Sequence, residues 1–371
     1  MVGSTASPTG AISLPRADRP VLPALFASRP FAISGASNSG KTTVAKHLHR
    51  LLSSSTIIHL DDFAPPQDQI PYSSQYADLQ DWDTPATAID WPLLRSSLAY
   101  FKQYGNLPEA HLTHDHLNVL DGVPVSDEVD REARRLIAEV ERAANERNED
   151  LHFGILDGFL NFYDPVRQPA VGDDGPRADT TGRPRPASEQ EVLAQLDVRI
   201  FLRVPYATLK RRRESRNEYV TQCEARLLLG LLLGDPLALT LCKPKRTRQP
   251  ATSGGILQTT LCVPTARDIA QQLYADFPTA IKDQIVYPAY LLAHAAIFPG
   301  PTSASSDFDP ISAADRVENA APSKEWSDPI SQGGKGLVTV PVGEGSEGMG
   351  KALLAAVRAI ATSLGKSAMP H

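Results

Sequence analysis

Gly35-Ala36-Ser37-Asn38-Ser39-Gly40-Lys41-Thr42 fills every fixed position of the pattern G-x-x-x-x-G-K-[ST]. Each fixed residue answers one demand of a bound triphosphate. Gly35 and Gly40 let the backbone wrap closely and aim N–H groups at phosphate oxygens, with Ser37, Asn38 and Ser39 between them and Thr43 just beyond. Lys41 supplies a cation for the β- and γ-phosphates, and the Thr42 hydroxyl can ligate Mg²⁺. Acceptor chemistry must come from elsewhere in the chain. Asp61-Asp62-Phe63 and Asp157-Gly158-Phe159 are two acidic turns, each following a short apolar run. A carboxylate at Asp61 can take a proton from an attacking hydroxyl or hold magnesium; general base is the assignment made here, against a turn-former or helix cap. Lys210-Arg211-Arg212-Arg213-Glu214-Ser215-Arg216 is either a solvated basic face or a set of cations for the charge on a transferring phosphoryl group. We favour the second in a chain of net charge −6. Gln80-Asp81-Trp82-Asp83-Thr84-Pro85 offers carboxylates for vicinal hydroxyls and one flat aromatic face, or else an aspartate-rich turn and cap. His111-x-x-His114-x-His116 lacks a partner cluster and reads as a solvated loop rather than a metal site.

The elements around these residues alternate. Pro30 to Ser34 is a short apolar run suited to a buried strand, and Thr43 to Leu52 carries apolar residues at helical spacing, so the loop opens a helix whose N-terminus favours anions. Thr56 to Leu60, Phe153 to Leu156 and Leu196 to Leu202 read as further strands. Trp91 to Gln103, Asp127 to Asn148 and a segment from near Pro205 read as helices, with Leu337 to Val342 and Met349 to Leu364 as a closing strand and helix. The expectation is an α/β chain of the P-loop NTPase fold, a parallel sheet with helices on both faces and irregular insertions. In an open sheet of this kind ligands sit beyond the carboxyl ends of the strands, where both acidic turns fall.

At 371 residues the chain exceeds an ordinary single domain, and its composition is uneven. Residues 1–29 read as a disordered leader and 30–299 as a kinase-type domain with irregular insertions at 164–188 and 224–265. Residues 300–335 read as a flexible linker, and 336–366 as a strand and helix packing back on the domain. The hydrophobic fraction of 42% suffices for a sizeable core, and the acidic balance argues against a nucleic-acid partner. No run of about 18 or more apolar residues appears, so no membrane partner is expected. Cys223, Cys242 and Cys262 have neither zinc nor disulfide-framework spacing, which points to a reducing compartment, the cytoplasm.

Taken in order, Gly-x-Ser-Asn-Ser-Gly-Lys-Thr-Thr, Asp-Asp-Phe, Asp-Trp-Asp-Thr-Pro, Asp-Gly-Phe and Pro-Tyr-x-x-x-Lys-Arg-Arg-Arg-x-Ser-Arg resemble the nicotinamide riboside kinases, particularly fungal members, within the uridine kinase and phosphoribulokinase group. The match runs from Phe31 to about Tyr219 and resumes at Asp283 to Tyr290. The resemblance implies transfer of the γ-phosphate of ATP, with Mg²⁺, to the 5′-hydroxyl of nicotinamide riboside or nicotinic acid riboside in NAD synthesis. It implies Asp61 as base, Asp83 and Arg213 on the ribose hydroxyls, and Trp82 as one wall of the base pocket. It further implies Thr42 and Asp157 for magnesium, and Arg212 and Arg216 as a lid over the phosphates. Where family members place a short Pro-Pro-Gly-Tyr-Phe-like loop after the arginines, about sixty residues intervene here. A uridine/cytidine kinase, or an NTP-binding protein without transfer activity, is the alternative reading.

Overall fold

The computed structural model describes residues 25–72, 80–113, 122–165, 188–215, 286–298, 310–328 and 335–365. Five strands, β1 (Leu25–Gly35), β2 (Ser55–His59), β3 (Glu149–Asp157), β4 (Val198–Arg203) and β5 (Leu337–Pro341), form one sheet in the order β2-β3-β1-β4-β5. All four pairings are parallel. A parallel sheet is covered on both faces, and its inner strands accordingly bury apolar residues in succession: Phe31, Ala32 and Ile33 on β1, Ile155 and Leu156 on β3, and Ile200, Phe201 and Leu202 on β4. Helices α1 (Lys41–Leu51), α4 (Asp127–Glu146) and α10 (Gly345–Gly365) pack together as one layer; α3 (Trp91–Tyr104) and α5 (Ser188–Gln195) form another.

Local sequence explains the helix ends. Asp90 caps α3 by accepting from the Leu93 N–H at 2.9 Å, and Gly105 ends it at φ 73°. Ser126 caps α4, whose first turn carries Asp127, Glu128 and Asp130 against the positive helix end. On α4 the buried residues Ala133, Ile137, Val140 and Ala144 recur every three or four positions, which lays one apolar stripe on the sheet. The fully buried Leu94, Leu98 and Phe101 do the same for α3. Each such side chain contributes roughly 1.5–3 kcal/mol of burial.

The topology brings the chemistry-bearing turns together. The phosphate loop leaves the central strand β1, and β3 lies beside it, with Asp157 in register with both Ile33 and His59. Asn161, wholly buried, donates to the carbonyls of Ile33 and Leu156 at 3.0 and 3.1 Å and ties the two strand ends.

Several boundaries differ from expectation. β1 begins at Leu25, inside the expected leader, because its first residues pair with Glu149–Phe153 in a ladder that extends past the apolar run. Helices α8 (Pro310–Asn319) and α9 (Lys324–Ser327) occupy part of the expected linker, anchored by the buried Ala313, Val317 and Trp326. Helix α5 begins where the 164–188 insertion was expected to end, and residues 166–187, like the whole of 224–265, lie outside the described residues. Helix α6 (Tyr206–Glu214) carries the arginines, and α7 (Tyr287–Ala293) returns to its base: the Tyr206 and Tyr287 rings lie 4.4 Å apart. The short α2 (Pro85–Ala88) follows the aspartate-rich turn.

Candidate phosphoryl-transfer site

The loop adopts the conformation its glycines permit. Gly35 has φ 148° and Gly40 φ 96°, with Asn38 also left-handed at φ 66°. A Cβ on Gly35 would fall 2.7 Å from the Leu202 carbonyl oxygen, so no larger residue fits. Helix α1 starts at Lys41 with no side-chain cap and no acid in its first turn, which leaves its N–H groups to an anion. Lys41 Nζ donates to the Ala36 carbonyl at 3.1 Å, curled along the loop.

Thr42 Oγ1 donates to Asp157 Oδ2 at 2.6 Å, and His59 Nδ1 lies 3.5 Å from the same oxygen. Asp157 is buried, and its other oxygen, Oδ1, has no hydrogen-bond partner among the described residues. A buried, orphaned carboxylate oxygen beside a threonine hydroxyl suits a hard divalent cation. The described residues contain no group of three or more His, Cys, Asp or Glu placed for a metal. A cation here would therefore complete its shell with phosphate oxygens and water, as magnesium does.

Leu60 to Phe63 form a single 3-10 turn after β2. Leu60 and Phe63 are fully buried and pin it, so Asp61, between them, opens toward solvent at the mouth of the site. The surrounding protein still crowds the Asp61 carboxyl, and this desolvation, reinforced by Asp157, raises its pKa against the pull of Lys41 and His59. Because solvent reaches the side chain, we take water to screen it in the open cleft, with the full effect felt once a ligand displaces that water. Gly158 makes the approach possible: a Cβ there would sit 2.4 Å from Leu60 Cβ and from Asn161 Oδ1.

Asp81 accepts from the N–H groups of Asp83 and Thr84 at 3.1 and 2.9 Å, so the aspartate-rich stretch is a capped turn that presents Asp83. Burial, with Asp81 adding, pushes the Asp83 carboxyl up to about 6, while Arg213 opposes. The structure thus brings Asp83 within electrostatic reach of Arg213, with Trp82 half-buried beside them. Arg212 Nη1 reaches the carbonyls of Asn38 and Ser39 at 3.3 and 3.4 Å, and Nη2 reaches Gly343 at 2.7 Å. Arg211 pairs with Glu344, so the basic run is engaged with the loop and the β5–α10 turn rather than being only a solvated face. Arg216 lies outside the described residues, as does Tyr219.

One expectation is corrected. His111 is not on a solvated loop: its ring stacks on Phe63 at 5.2 Å, and Nε2 lies 3.4 Å from Asp62 Oδ2, with both side chains largely buried. His114 and His116 lie outside the described residues. Sequence reasoning also passed over His59, whose place immediately before Leu60-Asp61 at the end of β2 was the available signal.

No protein-family model matches the chain. It is 31% identical over 191 residues to the nicotinamide riboside kinase of Saccharomyces cerevisiae, covering 51% of this chain and 66% of that protein. The nicotinamide riboside kinase of Schizosaccharomyces pombe is 28% identical over 189 residues, 51% of this chain and 66% of its own. Human nicotinamide riboside kinase 2 is 27% identical over 186 residues, 50% and 56% of the two chains. The chain spans just under two thirds of the length of these yeast relatives. About half of it is therefore similar, in sequence, to proteins named nicotinamide riboside kinases.

Proposed function

We propose that this chain transfers the γ-phosphate of ATP to the 5′-hydroxyl of nicotinamide riboside, and of nicotinic acid riboside, and that it sits with the fungal members of that kinase family in the cytosol. The observation that carries the reading is the convergence of Thr42, Asp61 and Asp157 at the carboxyl edge of adjacent strands. The similarity to nicotinamide riboside kinases supports the choice of acceptor.

The amides of Ser37 to Thr43 and the Lys41 ammonium hold the triphosphate. Asp61 accepts the proton of the 5′-hydroxyl as that oxygen attacks phosphorus; its raised pKa brings the base closer to working pH and so strengthens the proton transfer. Asp83 and Arg213 hold the ribose hydroxyls, and Trp82 offers its face to the pyridine ring. Arg212, already at the loop, neutralises charge on the transferring group, and Arg216 is placed in the same role by sequence alone. Thr42 and Asp157 would hold magnesium, which when bound offsets the phosphate charge.

Labelled ATP incubated with a panel of ribosides tests this. Label should appear on nicotinamide riboside with the wild type and vanish with Asp61→Ala. A wild type inert on that substrate and active on uridine refutes it.

A further inference from the structure

Helix α6 carries the arginines, yet little in its own sequence holds it in place. It is 9 residues long, and isolated helices shorter than about 12–15 residues are marginal in water. Among its described side chains only Leu209 is buried. Lys210, Arg211, Arg212 and Arg213 follow one another, so like charges crowd its C-terminal half. Its N-cap residue, Pro205, makes no side-chain hydrogen bond, and its first turn holds no acid. The N–H of Tyr206 is one of the donors that the start of a helix leaves without an intrahelical partner.

That donor is met by a residue 112 positions further along the chain. Glu318, in the last turn of α8, accepts from the Tyr206 N–H through Oε1 at 2.7 Å and so sets a carboxylate at the positive end of α6. The exchange is reciprocal. Arg203, at the end of β4, donates to the carbonyls of Arg316, Val317 and Ala320 at 3.1, 2.6 and 2.6 Å, around the C-terminal end of α8. Its guanidinium also lies 4.8 Å from the centroid of the Phe298 ring. Two opposed side chains thus clamp α8, itself anchored by the buried Ala313 and Val317, to the junction of β4 and α6. From that clamp α6 rises about 9 Å to Arg212. There the guanidinium meets the carbonyls of Asn38, Ser39 and Gly343.

We propose that Glu318 is a positioning residue for the donor triphosphate: by capping α6 it fixes the line along which Arg212 reaches the phosphate loop. It touches no substrate. The proposal rests on Gly35 to Thr42 being the donor site with Arg212 beside it, and is independent of which nucleoside accepts the phosphate.

Glu318→Ala removes the cap, and Glu318→Gln keeps an acceptor oxygen in its place. Each is made in the wild type and in the Arg212→Ala background. All are titrated calorimetrically with MgATP and, separately, with tripolyphosphate, and the melting temperature of each free protein is measured. In the wild type, Glu318→Ala should raise both Kd values by the same factor, about three- to tenfold, and lower the melting temperature by about 2–4 °C. In the Arg212→Ala background it should leave both Kd values unchanged, because the group it positions is gone. Glu318→Gln should recover most of the lost affinity. Unchanged Kd values in the wild type overturn the proposal, as does a Gln variant as weak as the Ala variant. An equal rise in both backgrounds overturns it, since that marks a general loosening of the fold, and so does a Glu318→Ala protein that does not fold. A loss confined to ATP also overturns it, since that places the defect at the base rather than the phosphates. A wild type that binds neither probe overturns it with the donor site itself. A wild type that binds ATP but phosphorylates no riboside refutes only the proposed function.

Discussion

Between about pH 7.5 and pH 5, the KM for nicotinamide riboside should rise by about an order of magnitude while the KM for ATP stays level. The cause is Asp83, whose carboxyl is pushed up to about 6 by burial and by Asp81, with Arg213 opposing. On the proposed function, the ionised carboxylate is the form that accepts from both ribose hydroxyls. For a single group titrating near 6, about one molecule in eleven is ionised at pH 5, so the apparent KM climbs roughly tenfold. The same shift has a stability consequence of opposite sense. Between the ordinary value of 3.8 and about 6 the folded chain binds a proton that the unfolded chain has lost. Stability therefore falls as pH rises through that window, by about 3 kcal/mol at most. Asp83→Asn removes both effects: its KM should be high and flat across the range, and above pH 7 the variant should melt at a higher temperature than the wild type. Initial rates at saturating MgATP in overlapping buffers, with thermal melts at pH 5 and 8, measure this. A wild-type KM that is flat from pH 5 to 7.5, or an Asp83→Asn variant with the wild-type slope, would refute the reasoning.

Three further outcomes are expected. Asp61→Asn should lower kcat by roughly 10²–10⁴ with little change in the KM for ATP, since on the proposed function the lost group acts on the acceptor hydroxyl; single-turnover rates read this directly. Arg212→Ala removes a cation lying 3.3 Å from the Asn38 carbonyl at the loop and should raise the KM for ATP about tenfold or more, measured at saturating acceptor. Gly158→Ala forces a methyl to within 2.4 Å of Leu60 and Asn161, and should cost about 1–3 kcal/mol in a urea melt and lower kcat by displacing the Asp61 turn.

The fold was legible because β1, β2 and β3 each carry a short apolar run that ends at the phosphate loop or an acid, and because α4 repeats Ala133, Ile137, Val140 and Ala144 at helical spacing. Edges were less legible. Leu25 to Arg29 form strand only because Glu149 to Phe153 pair with them, a tertiary cause that no local pattern records. The same holds for α8 and α9, whose polar sequences are ordered by a few buried anchors such as Trp326. At the site, Lys41 and Thr42 could be read from the fixed spacing of the phosphate loop, and Asp61 and Asp157 from their places directly after apolar residues. His111 could not, and His59 was legible only from its place just before Leu60-Asp61. Both meet their carboxylate partners through contacts between residues far apart in sequence, and a lone histidine carries no such information by its type.

The contact between Tyr206 and Tyr287 bears on how chain length and activity are related. The chain leaves this corner of the fold along α6 and comes back to the same corner at α7, so the number of residues in between does not set where either helix sits. Closing a longer excursion costs only a logarithm: growth from about 10 to about 70 residues adds roughly 2 kcal/mol. With both ends fixed at one corner, the phosphate loop and its two strand-end acids keep their places whatever the length of chain that joins α6 to α7.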